Sequence, residues 1–102
     1  MNDPVLNEMV ALATQFNVDR ILLYGSRARE DHSPLSDYDV AIFGEHLSAT
    51  DRVLLSHAID DIRTLKKIDL VFMNGDRDDD FRLQILEEGV VIYEQAQLFG
   101  LK

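Results

Sequence analysis

The chain has 102 residues, 46% of them hydrophobic and 28% charged, which is the composition of one small globular domain rather than of a disordered or fibrous chain. The absence of cysteine removes disulfides, thiolate nucleophiles and cysteine zinc sites, and suits a reducing cytoplasm. Nineteen acidic against ten basic residues give a net charge of −9, which repels the phosphate backbone of a polynucleotide.

The chain reads as alternating helices and strands. Asp3 suits an N-cap and Pro4 the first helical position, after which Val5, Met9, Leu12 and Phe16 recur at helical spacing, with Leu6, Val10 and Ala13 widening the stripe. Asn17 can close that helix in a left-handed conformation. Ile21-Leu22-Leu23-Tyr24 is a short apolar run ending at Gly25, the pattern of a buried strand. Ser26 to Glu30 read as a single helical turn, followed by a loop through Asp31, Ser33 and Pro34.

A second strand begins near Asp37 and runs through Val40-Ala41-Ile42-Phe43 to Gly44. Ser48 or Thr50 can cap the next helix, whose apolar positions Leu54, Ala58, Ile62 and Leu65 hold helical spacing. Ile68 to Met73 is a third strand, stopped by Asn74-Gly75. The Asp76–Asp80 stretch favours a helix start, because carboxylates there face the positive end of the helix dipole. Phe81, Ile85 and Leu86 supply that helix's buried side and Gly89 its stop; Val90 to Tyr93 form a fourth strand. The expected fold is α/β (α+β): one small domain over residues 1–94, a mixed four-stranded sheet packed with helices, and a tail over 95–102 whose Leu98, Phe99 and Leu101 could dock on something. The second and third strands, joined by a helical crossover, should be parallel, and the first and second antiparallel. No apolar run approaches the roughly 20 residues of a membrane span. Met1-Asn2-Asp3-Pro4 carries no basic region of a signal peptide, so the expected location is the cytoplasm.

That topology brings three features to one sheet edge. Gly25-Ser26 falls where the first strand turns into a short helix. Glycine lets backbone approach a ligand closely, and helix N-terminal amides favour phosphate oxygens. Ser26 adds a hydroxyl, and Arg27 and Arg29 add cationic charge. Taken alone, this is equally a plain strand–turn–helix junction with a capping serine. Asp37 and Asp39 are two apart at a strand start, so both carboxylates point to one face roughly 7 Å apart along the chain, from a rise of about 3.3 Å per residue. Two anions held side by side repel, and a divalent cation such as magnesium relieves that repulsion. The bland counterpart is an Asx-turn residue before a solvated strand end. Asp69 lies inside Lys67-Ile68-Asp69-Leu70-Val71-Phe72, where aspartate is disfavoured; it is a general base, a third metal ligand, or the partner of Lys66 or Lys67 in a salt bridge.

Together the three features are restrictive. Tyr24-Gly25-Ser26-Arg27-Ala28-Arg29, then Ser36-Asp37-Tyr38-Asp39-Val40-Ala41-Ile42, then a lone Asp69 resemble the blocks of the minimal nucleotidyltransferases of the DNA polymerase-β superfamily. The resemblance extends from Val18 to about Glu94 and is greatest to the MntA-type antitoxin group, small proteins paired with a separate helical HEPN-domain (HepT) toxin. It implies that Asp37 and Asp39 bind two Mg2+ ions. It also implies that Asp69 completes the metal site and helps activate the attacking hydroxyl, and that Gly25, Ser26 and Arg27 hold the nucleotide's phosphates. The implied reaction moves AMP from ATP to a hydroxyl acceptor, in the antitoxin group a side chain of the toxin, with release of pyrophosphate. Larger relatives carry a further domain that recognises base or acceptor; nothing in these residues is expected to supply it, so another chain is expected to finish the site. Two alternatives stay open: a non-catalytic antitoxin that blocks its partner stoichiometrically, and a nucleotidyltransferase acting on a small cationic molecule of the aminoglycoside kind. His32, His46 and His57 share no metal-ligand spacing and read as surface histidines, and Asp76–Asp80 lacks the spaced ligands and closing glutamate of a calcium loop.

Overall fold

The structure, a computed structural model, describes residues 3–25, 37–73 and 79–95. The expected turn over 26–30, the loop beyond it, most of the acidic stretch before the third helix and the apolar residues of the tail lie outside the described residues.

Helix α1 (Pro4–Ala13) starts as its sequence dictates. Asp3 Oδ1 accepts the N–H groups of Val5 (2.9 Å) and Leu6 (3.3 Å), two of the donors that a helix start leaves orphaned, and Pro4 occupies the first turn. The helix ends earlier than expected. Thr14 is the C-cap in a right-handed conformation, three residues before Asn17, and its hydroxyl donates back to the Ala11 carbonyl at 2.7 Å. Gln15 and Phe16 continue in a tighter turn, donating to the Leu12 and Ala13 carbonyls, which still lets Phe16 reach the core.

Four strands follow: β1 (Arg20–Tyr24), β2 (Tyr38–Phe43), β3 (Ile68–Met73) and β4 (Val90–Glu94), arranged in the order β3-β2-β1-β4. β1 pairs antiparallel with β2, from Arg20 opposite Phe43 to Tyr24 opposite Asp39. β2 pairs parallel with β3, from Tyr38 beside Ile68 through Asp39 beside Asp69. Helix α2 (Ala49–Asp60) makes the crossover between them, capped by Ser48, whose Oγ accepts the Asp51 N–H at 3.0 Å. β4 returns antiparallel along the free side of β1, with a register shift between Ile21 and Leu22. Helix α3 (Asp79–Glu88) precedes it.

Strand alternation divides the sheet into two faces. Ile21, Leu23, Tyr38, Val40 and Ile42 point toward α1 and α2, where Val5, Met9, Leu55 and Ile59 close the larger core. Leu22, Ala41, Phe43 and Met73 point the other way and meet Ile85 of α3, with Phe81 packed beside them. The expected stripe of α2 is met only in part. Within the helix Leu55 (1% exposed) and Ile59 are buried whereas Leu54 is 53% exposed; Ile62, buried as expected, and Leu65, fully exposed, lie beyond its end at Asp60. Both series have helical spacing, and the contiguous Val53-Leu54-Leu55 offers two phases; packing against the sheet selects the second. On α3, Ile85 is buried as expected but Leu86 is exposed, one position round the helix from the face that meets Leu22. Gly89 does end α3. The requirement for glycine there is space, since an added Cβ would lie 2.5 Å from the Ile85 carbonyl oxygen and 2.7 Å from Leu22 Cδ2.

Candidate active site

The parallel register sets Asp39 directly beside Asp69. Each is followed at two-residue intervals by side chains of the α3 face, Ala41 and Phe43 on β2 and Val71 and Met73 on β3, so both carboxylates project to that face near the strands' N-terminal edge. Asp37 is one residue ahead of β2 and exposed; its Oδ1 accepts the Lys67 backbone N–H at 3.2 Å. The Lys67 carbonyl in turn accepts the Tyr38 N–H at 2.9 Å, so the starts of β2 and β3 are fastened together. Tyr38, between the two aspartates, turns to the opposite face, where it is fully buried and its hydroxyl donates to Asp3 Oδ2 at 2.7 Å.

The electrostatics follow from this crowding. Burial, then the charge of Asp69, then that of Asp37 push the Asp39 carboxyl above its ordinary value of 3.8. Lys67 places its Nζ 3.4 Å from Asp69 Oδ1, so the salt-bridge reading of Asp69 holds alongside its membership of the acidic group.

Gly25 completes the edge from β1. Its neighbour Tyr24 is the register partner of Asp39, its φ is +77°, and a Cβ there would collide with Asp39 Oδ2. Backbone conformation and space both require glycine, which keeps the end of β1 against the Asp39 carboxylate. Above it, Phe81 of α3 meets the Tyr24 ring edge-on, with centroids 6.3 Å apart and planes at 86°. Ser26 and Arg27, the other expected phosphate-binding residues, lie outside the described residues.

Three features of the site were not placed by sequence reasoning: the Asp3–Tyr38 anchor, the Tyr24–Phe81 contact and the hydrogen bond of the Lys67 backbone to Asp37.

Among the described residues, no three His, Cys, Asp or Glu side chains converge to hold a metal ion by themselves. Asp39 and Asp69 nevertheless form a hard-oxygen donor pair whose mutual repulsion the exposed Lys67 ammonium offsets only from the Asp69 side. Such a pair fits a magnesium-type ion that takes its remaining ligands from substrate phosphate and water.

Residues 8–98 match the sequence family described as polymerase beta, nucleotidyltransferase. The chain belongs to that family. Comparison with solved structures agrees on the fold. A chain of the crystal structure of a toxin–antitoxin with AMP-PNP superposes with a TM-score of 0.65 at 21% identity, covering 99% of this chain and 80% of that one. The tri-AMPylated Shewanella oneidensis HEPN toxin in complex with its MNT antitoxin contains a match with a TM-score of 0.66 at 19% identity, covering 99% and 79%. The MntA–HepT toxin–antitoxin structure gives a TM-score of 0.63 at 18% identity, covering 89% and 71%. A comparison with curated proteins finds no match. The chain is thus a nucleotidyltransferase domain of the fold found in MntA-type antitoxin complexes. Among the described residues, no helix is long and apolar enough to cross a membrane.

Proposed function

We propose that this protein is a magnesium-dependent nucleotidyltransferase of the cytoplasm. It moves AMP from ATP to a side-chain hydroxyl of a separate, helical HEPN-type toxin and neutralises that toxin by doing so. The observation that carries the reading is the Asp39–Asp69 pair, side by side on one sheet face with Gly25 against it. Bound divalent ions, two with substrate, would neutralise the triphosphate and favour in-line displacement at its α-phosphorus.

The chain's own residues have separate tasks. Asp37 and Asp39 offer oxygens to the ions. Asp69 completes that set and draws the proton from the acceptor hydroxyl, whose oxygen bonds to the α-phosphorus as the bond to the β-phosphate breaks and pyrophosphate leaves. Gly25, with no side chain between backbone and Asp39, lets the terminal phosphates approach, held by Ser26 and Arg27. The HEPN partner is supported by the similar structures, in which antitoxin and HEPN toxin are complexed and one toxin is tri-AMPylated.

The test uses α-labelled ATP, Mg2+ and the HEPN-type protein encoded beside this chain's gene. Wild type should label that protein and an Asp37→Ala/Asp39→Ala variant should not. Equal labelling by both overturns the catalytic assignment. Equal protection of cells by the folded double variant favours stoichiometric blocking instead.

A further inference from the structure

Among the described residues, Lys67 is the charged group that joins the three aspartates at the acidic edge. Its backbone is fixed on both sides, with the N–H on Asp37 Oδ1 and the carbonyl accepting from Tyr38. Its side chain is 71% exposed and extends from that fixed base to bring Nζ 3.4 Å from Asp69 Oδ1. A flexible lysine head is usually free to solvate itself elsewhere, and an exposed pair of this kind adds little to stability. Its effect on what enters the site is a different matter. The ammonium lowers the negative potential over Asp69 and Asp39, where bare divalent cations would otherwise collect. It also offers an attractive charge to a ligand carrying phosphates, which the aspartates alone would repel.

We propose that Lys67 is a specificity residue that biases the site toward a metal–triphosphate complex and against the bare metal ion. The proposal rests on the nucleotidyltransferase reading of the site. Its physical content is a sign rule. A bare divalent ion is positive and its complex with a nucleoside triphosphate is net negative, so removing one positive charge beside the site must move their affinities in opposite directions. A purely structural contribution of Lys67 would move both the same way.

The experiment measures two affinities at fixed ionic strength for wild type, Lys67→Met and Lys67→Arg. Bare Mn2+ is titrated by electron paramagnetic resonance, and Mn2+ with a non-hydrolysable ATP analogue is followed by calorimetry. Lys67→Met should tighten bare Mn2+ by about three- to fivefold and weaken the complex by a similar factor, the scale of one surface ion pair. Lys67→Arg, which keeps the charge, should leave both near the wild-type values. Either affinity failing to shift in its stated direction in Lys67→Met overturns the proposal, as does a Lys67→Arg variant that behaves like Lys67→Met. Asp39→Asn separates this from the reading beneath it: binding of both probes should be lost there, and retained binding overturns the assignment of the site itself.

Discussion

The buried anchor beneath the two leading aspartates can be tested by a double-mutant cycle. The Tyr38 hydroxyl donates to Asp3 Oδ2 at 2.7 Å while Asp3 Oδ1 caps α1, so one carboxylate joins the N-terminus of the first helix to the start of β2. A hydrogen bond to a charged group contributes about 1.5–3 kcal/mol, and since Asp3 is only half-buried, water can partly replace a lost donor. Tyr38→Phe should therefore cost about 1.5–2 kcal/mol, the lower part of that range. In a domain of this size that lowers Tm by roughly 6–16 °C. Asp3→Ala loses the same bond and the cap, the latter another 1 kcal/mol or so, for a total of about 3 kcal/mol. The double variant should be little worse than Asp3→Ala alone, leaving a coupling energy of about 1.5–2 kcal/mol by urea unfolding. Folded domains have about 5–15 kcal/mol in hand, so all three variants remain measurable. Strict additivity, with coupling below about 0.5 kcal/mol, would refute the idea that Asp3 and Tyr38 act as one anchor.

Two further outcomes follow from the same geometry. Because Asp39 carries a raised pKa, the metal-free folded chain binds more protons than the unfolded one between 3.8 and the folded value, and this group's contribution to stability falls as pH rises through that window. Asp39→Asn should accordingly raise the metal-free Tm at pH 7, with the advantage shrinking as pH falls toward 4, while added Mn2+ should stabilise wild type alone; an unchanged or lower Tm at pH 7 would count against the crowding of charge. On α2, Leu55→Ala should cost about 2–5 kcal/mol by denaturant unfolding, as a buried leucine does, and Leu54→Ala no more than about 0.5 kcal/mol. The reverse order would mean that the helix packs in the other phase.

The sequence carried the element order and the strand pairing because each strand is a short apolar run with clear stops, and a helical crossover permits only a parallel neighbour. It also pointed to the proposed site, because Asp39 and Asp69 interrupt otherwise apolar strands near their starts, where the parallel register sets them side by side. The phase of α2 was hidden by Val53-Leu54-Leu55, three adjacent apolar residues that satisfy two stripes equally until a sheet is placed against one. The end of α1 was hidden because Thr14 bonds back to Ala11 while Asn17 merely looked like a stop. The Asp3–Tyr38 anchor joins residues 35 apart and has no local signature, since Asp3 was already accounted for as a cap.

The central claim is that the Asp39–Asp69 pair holds divalent ions together with the nucleotide's phosphates beside Gly25. Anomalous scattering from crystals grown with Mn2+ and a non-hydrolysable ATP analogue tests it directly. The account predicts metal peaks within roughly 2.0–2.2 Å of oxygens of both carboxylates, the ordinary bonding range for such small ions, with the triphosphate lying along the end of β1. Metal bound away from these two side chains, or a nucleotide seated on the α1–α2 face of the sheet, would contradict it.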